Sequence, residues 1–281
     1  MAQIDVVVSG STLNYFGFLS QDTAGDNDVQ KTDILRESEV HFNAEGKTDA
    51  GLTYGFHVEM EADGGDDTNT LEQSYLYLSN EYGKVELGSV DSIAYKMQVA
   101  APAADKNVDG VRALINPVNY AADDIVGAVN DIAATGNRDG FDYDQNFSGY
   151  NEKINYYTPR WNGVQIGVGY TFDNGDNNSS TGLAGFNLDN VANAYGDVYE
   201  AAVRYETEFN SVKLRTGAGY TIAKLENDGG IGLDDYQEWN VGIDMDISAF
   251  GFGVVYSENN NGLDVNDKDR IVVVGADYTV D

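Results

Sequence analysis

Apolar and polar residues alternate along most of this 281-residue chain. The clearest alternation covers residues 52–62. One face of that run would carry Leu52, Tyr54, Phe56, Val58, Met60 and Ala62. The intervening positions are polar or small, and a repeat of two residues is typical of a strand with two unlike faces. The run is also near the 9–11 residues that a tilted strand needs to cross a bilayer.

Comparable runs predict an all-β chain of about twelve strands. Their expected bounds are 4–21, 34–46, 52–62, 72–79, 84–88, 152–157, 164–172, 199–206, 212–222, 238–247, 250–256 and 269–279. Short and long connections alternate between them, which is typical of an antiparallel up-and-down barrel. Aromatic residues next to the short turns would form an interfacial girdle: Tyr54, Tyr82, Trp161, Phe209 and Phe250.

One long segment, residues 90–151, has no sustained strand or helix periodicity. Connections of this length inside a compact domain are usually functional. We therefore expect a constriction loop that folds back into a single barrel domain spanning residues 1–281. Its acidic candidates are Asp105, Asp109, Asp123 and Asp124. An ordinary surface insertion and a disordered tract are the alternatives.

The net charge of the chain limits the classes of molecule that it can bind. Forty-seven acidic residues against 16 basic ones give a net charge of −31, which repels nucleic acid and attracts cations. There is no apolar run of about 18 residues for a transmembrane helix, and no signal peptide is predicted before the first strand. The alternative class is a non-conducting, acidic β-rich surface or binding protein, such as an adhesin or a halophilic β-sandwich.

Few residues of the sequence indicate a catalytic site or a cofactor site. The two histidines, His41 and His57, fall on adjacent predicted strands and the same face, where solvated wall residues are the simpler interpretation. Loops 173–178 and 264–267 offer oxygen ligands for weak calcium binding, but neither has the order of an EF-hand. We expect no enzyme activity and no resident cofactor.

Four segments resemble the Gram-negative general diffusion porins, most closely the alphaproteobacterial branch. Residues 38–46 (SEVHFNAEG) and 51–61 (GLTYGFHVEME) are similar to the second and third strands of that family. Residues 82–88 (YGKVELG) resemble the strand before its constriction loop, and 155–164 (NYYTPRWNGV) the segment after it. The resemblance brackets the long loop and extends over the whole chain as a pattern.

The resemblance implies a sixteen-stranded barrel, usually a homotrimer, that passes small hydrophilic solutes and ions across the outer membrane. About twelve strands and a non-aromatic C-terminus depart from this pattern, so we expect missing C-terminal strands, or else a smaller closed barrel. The expected pore-lining residues are Glu37, Glu39, His41, His57, Glu59, Glu61, Glu72, Lys84, Glu86, Lys153, Arg204, Lys213 and Arg215. Acids predominate, which predicts a cation-preferring channel.

The face assignment also predicts how each face tolerates charge. Val58, Val168 and Ile243 are expected at mid-strand on the lipid side. Arginine at any of them should destabilise the fold, whereas His57 and Gly242, on the opposite face, should accept it.

Overall fold

The computed structural model describes residues 4–18, 31–62, 71–103, 143–174, 190–263 and 268–280. Twelve antiparallel strands within these ranges form one sheet in strict sequence order. They are β1 (Ile4–Phe18), β2 (Thr32–Lys47), β3 (Thr53–Glu61), β4 (Leu71–Asn80), β5 (Gly83–Ser89), β6 (Glu152–Tyr157), β7 (Val164–Thr171), β8 (Tyr195–Phe209), β9 (Val212–Leu225), β10 (Tyr236–Ile247), β11 (Phe250–Asn259) and β12 (Asp269–Tyr278). This single meander confirms the all-β prediction and differs from the two packed sheets of a sandwich.

Short connections lie at one end of the sheet, after the even-numbered strands β2, β4, β6, β8 and β10. Asn210 and Ser248, in the turns after β8 and β10, adopt positive φ angles of 54° and 57°. Longer connections follow the odd-numbered strands. Within the part of the chain that the structure describes, β1 and β12 each pair with one neighbour only.

The two faces of the sheet differ in exposure as well as in composition. On β7, Ile166 and Val168 are 44% and 47% exposed, while the alternating Gly167 and Gly169 are buried. Leu76 on β4 is 59% exposed on the apolar face. Apolar side chains left open over so many adjacent strands indicate a surface that faces lipid rather than water.

The aromatic residues beside the short turns are also exposed. Tyr82, Trp161, Phe209 and Phe250, all beside the short connections, are between 52% and 76% exposed. Their position at one rim is where an interfacial girdle belongs. In the described residues, no helix has both the length and the apolar character needed to cross a membrane.

One element differs from the sequence prediction. Residues 93–97 form a short helix, α1 (Ile93–Met97), within the segment expected to have no regular structure. The Ser92 side chain accepts a hydrogen bond from the Tyr95 backbone N–H, which caps the helix start. A helix of five residues is too short to produce a detectable apolar repeat, and its stability comes from packing against the sheet.

Candidate functional site

The described parts of the long segment, residues 90–103 and 143–151, lie against the polar face of the sheet; we call them the loop stem. Ile93 and Met97 of α1 pack with Tyr157 and Ala202 on the wall. Further along, Ala101 packs with Tyr143 and Val255. The stem therefore crosses the strands from β6 to β11, on the face opposite the exposed apolar side chains.

Glycines in successive strands make room for the stem. A side chain added at Gly167 would meet Ile93 at 2.6 Å, and one at Gly253 would meet Pro102 at 2.6 Å. Gly242 lies directly beneath the Val99 carbonyl oxygen. The expectation that Gly242 would accept arginine was therefore wrong, because this position faces packed backbone and not open water.

Buried polar contacts fix the two halves of the stem to each other and to the wall. Gln98 donates to the Tyr143 carbonyl at 2.9 Å, and its side-chain oxygen accepts the Gln145 N–H at 2.9 Å. Gln145 in turn donates to Thr221 on β9 and to the Glu238 carbonyl on β10, both at 3.1 Å. Hydrogen-bonded polar groups in a buried site fix one arrangement, since any other leaves them unsatisfied.

Lys153, predicted on the pore wall, is fully buried under the stem. Its ammonium group donates to the backbone carbonyls of Val90 and Gly149, both at 2.5 Å. Lys153 thus lies on the predicted face but presents no exposed charge. Burial under the stem could not be read from strand alternation alone.

Asp91 joins the stem to the wall of β4. Gln73 and Asn146 each donate to its carboxylate at 3.2 Å. Burial raises the pKa of the Asp91 carboxyl to about 6, against the opposing effect of Lys96 and Lys153. The protonated form is therefore favoured more in the folded chain than in the unfolded one.

This shift predicts a pH dependence. Because the folded pKa lies above the unfolded value, the contribution of Asp91 to stability is fully present below about pH 4 and is lost as the pH rises through about 6. Relative to Asp91→Asn, the wild type should lose at most about 2–3 kcal/mol between pH 4 and 7. Thermal unfolding in detergent at several pH values measures this difference. Asp49→Asn, in an exposed turn, is the control. If the difference in unfolding free energy between wild type and Asp91→Asn stays constant with pH, the predicted pH dependence is wrong.

Away from the stem, acids and histidines meet on β2, β3 and β4. His41 lies opposite Glu59, and Glu39 opposite Glu61, in the β2–β3 register. The register shifts after Glu59, which leaves Glu72 as an extra residue in β4. Such a bulge redirects a side chain, and the carboxylates of Glu39, Glu59 and Glu72 lie within 4.8 Å of one another.

Three basic side chains on this face, and Lys96 on the stem, contact acids. Lys84 and Lys96 contact Glu86 at 2.8 and 3.0 Å. Arg204 contacts Glu206 at 2.6 Å, and Arg215 bridges Asp244 and Asp246. Because each of these cations lies beside an acid, its electric field is weak at longer distances.

The structure describes only some of the remaining predicted residues. Glu37 is half-buried on the same face as Glu39, and Lys213 lies near the short-turn rim. The predicted loop acids Asp105, Asp109, Asp123 and Asp124 lie outside the described residues, as do residues 175–178 and 264–267 of the two loops considered for calcium. Four amide residues of the site were not predicted, because amides carry no charge to mark them: Gln73, Asn43, Gln98 and Gln145. Gln98 and Gln145 also lie outside the strands.

Comparisons with known proteins agree with this architecture. A model of the Gram-negative porin family matches residues 1–281, and the chain belongs to that family. An anion-selective porin from Comamonas acidovorans has a similar structure, with a TM-score of 0.58 and 17% identity over 98% of this chain and 74% of that one. Pseudomonas putida OprB gives 0.59 with 12% identity, over 97% and 70%.

A third similar structure is Salmonella typhi OmpF, described in complex with daunomycin, with a TM-score of 0.54 and 16% identity over 92% of this chain and 66% of that one. At these identities the similarities establish the fold alone. No curated protein sequence matches the chain significantly. Family and fold together define an outer-membrane diffusion channel, which is not an enzyme.

Proposed function

We propose that the channel prefers cations and that the loop stem narrows it. The observation that carries this proposal is the balance of charge on the polar face. Glu39, Glu59 and Glu72 cluster there, and Glu39 and Glu59 contact histidines, while the arginines of β8 and β9 contact acids. Rings of acids raise the local cation concentration and oppose anion entry.

The Comamonas acidovorans porin, which is anion-selective by its description, has the same fold and is only 17% identical. Selectivity depends on which side chains line the wall, and a shared fold leaves those free to vary. The cation preference of this chain is therefore inferred from its own cluster of acids and its net charge of −31, and from the acids that contact Lys84, Arg204 and Arg215.

The reversal potential under a KCl gradient tests the preference. We expect a potential that favours potassium, and more strongly at low salt, because the Debye length is about 8 Å at physiological ionic strength and grows on dilution. Glu59→Lys should weaken the preference. Asp228→Lys, in an exposed turn, is the matched control and should change little. An anion-favouring potential in the unmodified channel would overturn the proposal without affecting the fold.

The permeating species that we infer are small hydrophilic solutes and ions. Homotrimeric assembly and placement in the alphaproteobacterial branch are also proposals, since they rest on the family and on the four segments that resemble it.

A further inference from the structure

The only two histidines of the chain lie side by side on the polar face, on neighbouring strands. Their ring centroids are 5.5 Å apart. His41 lies directly opposite Glu59, and His57 opposite Asn43, in the β2–β3 register. Two imidazoles and one carboxylate thus meet on the wall.

The hydrogen bonds around the rings select which nitrogen is left free. Asn43 Oδ1 can only accept, so His57 Nδ1, at 2.7 Å, donates to it, and in a neutral ring His57 Nε2 then carries the lone pair. In the same way Glu39 accepts from His41 Nε2 at 2.9 Å, which leaves His41 Nδ1 unprotonated in a neutral ring. Carboxylate or amide partners that fix the tautomer are typical of histidines that bind metal.

Both free nitrogens point at the same carboxylate oxygen. Glu59 Oε2 lies 3.4 Å from His41 Nδ1 and 3.1 Å from His57 Nε2. In neutral rings two lone pairs would face an anionic oxygen and repel it, so a cation, either a proton or a metal ion, belongs between them. Donor atoms around tetrahedral zinc are separated by about 3.4 Å, given bonds of about 2.0–2.1 Å, so the observed spacing needs little adjustment.

The cluster is accessible. Side-chain exposures of 21% for His41, 13% for His57 and 10% for Glu59 leave it open on one side. Glu39 and Glu72 lie close enough to add negative charge around it. We propose that His41, His57 and Glu59 form a binding site for a divalent transition metal of the zinc, nickel or copper class. Two imidazoles favour these ions over calcium or magnesium, which prefer oxygen ligands.

Metal binding to the folded chain in detergent tests this site without any ion current. Zinc should bind with about one equivalent per chain, and His57→Gln should weaken its affinity at least about tenfold. Glu45→Gln is the matched control, since Glu45 lies on the strand of His41, on the same face as both histidines, and contacts Tyr77 instead. That variant removes one charge and should leave zinc affinity within about threefold.

Copper provides a second, spectroscopic measurement on the wild type alone. The electron paramagnetic resonance spectrum of one bound Cu²⁺ should show coupling to two imidazole nitrogens, whatever the folding behaviour of any variant. The proposal is overturned if zinc does not bind the wild type or if His57→Gln binds it equally well. It is also overturned if calcium competes at the same concentration as zinc, or if the copper spectrum shows no nitrogen coupling.

Discussion

Replacing Val58 by arginine is expected to destabilise the folded chain by about 2–4 kcal/mol, whereas arginine at the adjacent His57 should be tolerated. The two residues are neighbours on β3 but face opposite sides of the sheet. Val58 pairs with Phe42 and Ser74 on the apolar side of the sheet. A charged side chain near the bilayer midplane is not hydrated, so it destabilises the folded chain. His57 already contacts Glu59 at 3.1 Å, so a cation at its position keeps an acidic partner.

Unfolding by urea in lipid vesicles measures the two free energies of unfolding, with the wild type beside them. Because the variants differ by one position in the chain, local strand propensity and expression are closely matched. Equal losses at both positions would show that the assignment of lipid and channel faces is wrong.

The second large effect is expected at Gly242. Leucine there would collide with the Val99 backbone and displace the loop stem from the wall, and overpacking of this kind costs about 1–3 kcal/mol. Single-channel conductance in planar bilayers should rise, because the displaced stem no longer narrows the channel. Val241→Leu, on the exposed apolar face of the same strand, should leave conductance unchanged. If Gly242→Leu conducts like the wild type, the stem does not set the width of the channel.

Strand alternation was sufficient to predict most of the fold. Residues 52–62 alternate without a break, and β3 (Thr53–Glu61) lies within them. Side chains of alternating positions point to opposite faces, so apolar Val168 and polar Gln165 could be assigned from spacing alone. The turns were also recognisable, since polar and glycine residues such as Asn162 and Gly163 adopt positive φ angles there.

The contacts that shape the channel were not predictable from the same pattern. Whether an inward glycine such as Gly242 faces water or a packed chain depends on where a distant segment lies. The burial of Lys153 depends on the same segment, and so does α1, which forms only against the wall. The bulge that leaves Glu72 of β4 without a register partner in β3 interrupts the two-residue repeat at a single position. A single interruption is too short to be recognised in a sequence pattern.

We propose that the polar face of this sheet, with the loop stem against it, lines a water-filled channel. The chain contains no cysteine, so a single introduced thiol can be modified without background. Glu39 and Val40 are adjacent on β2 and face opposite sides, with the Glu39 side chain 21% exposed. A bulky, membrane-impermeant methanethiosulfonate reagent should reduce the single-channel current of Glu39→Cys and leave that of Val40→Cys unchanged. Block of Val40→Cys with an unaffected Glu39→Cys would contradict the assignment of the polar face to the channel.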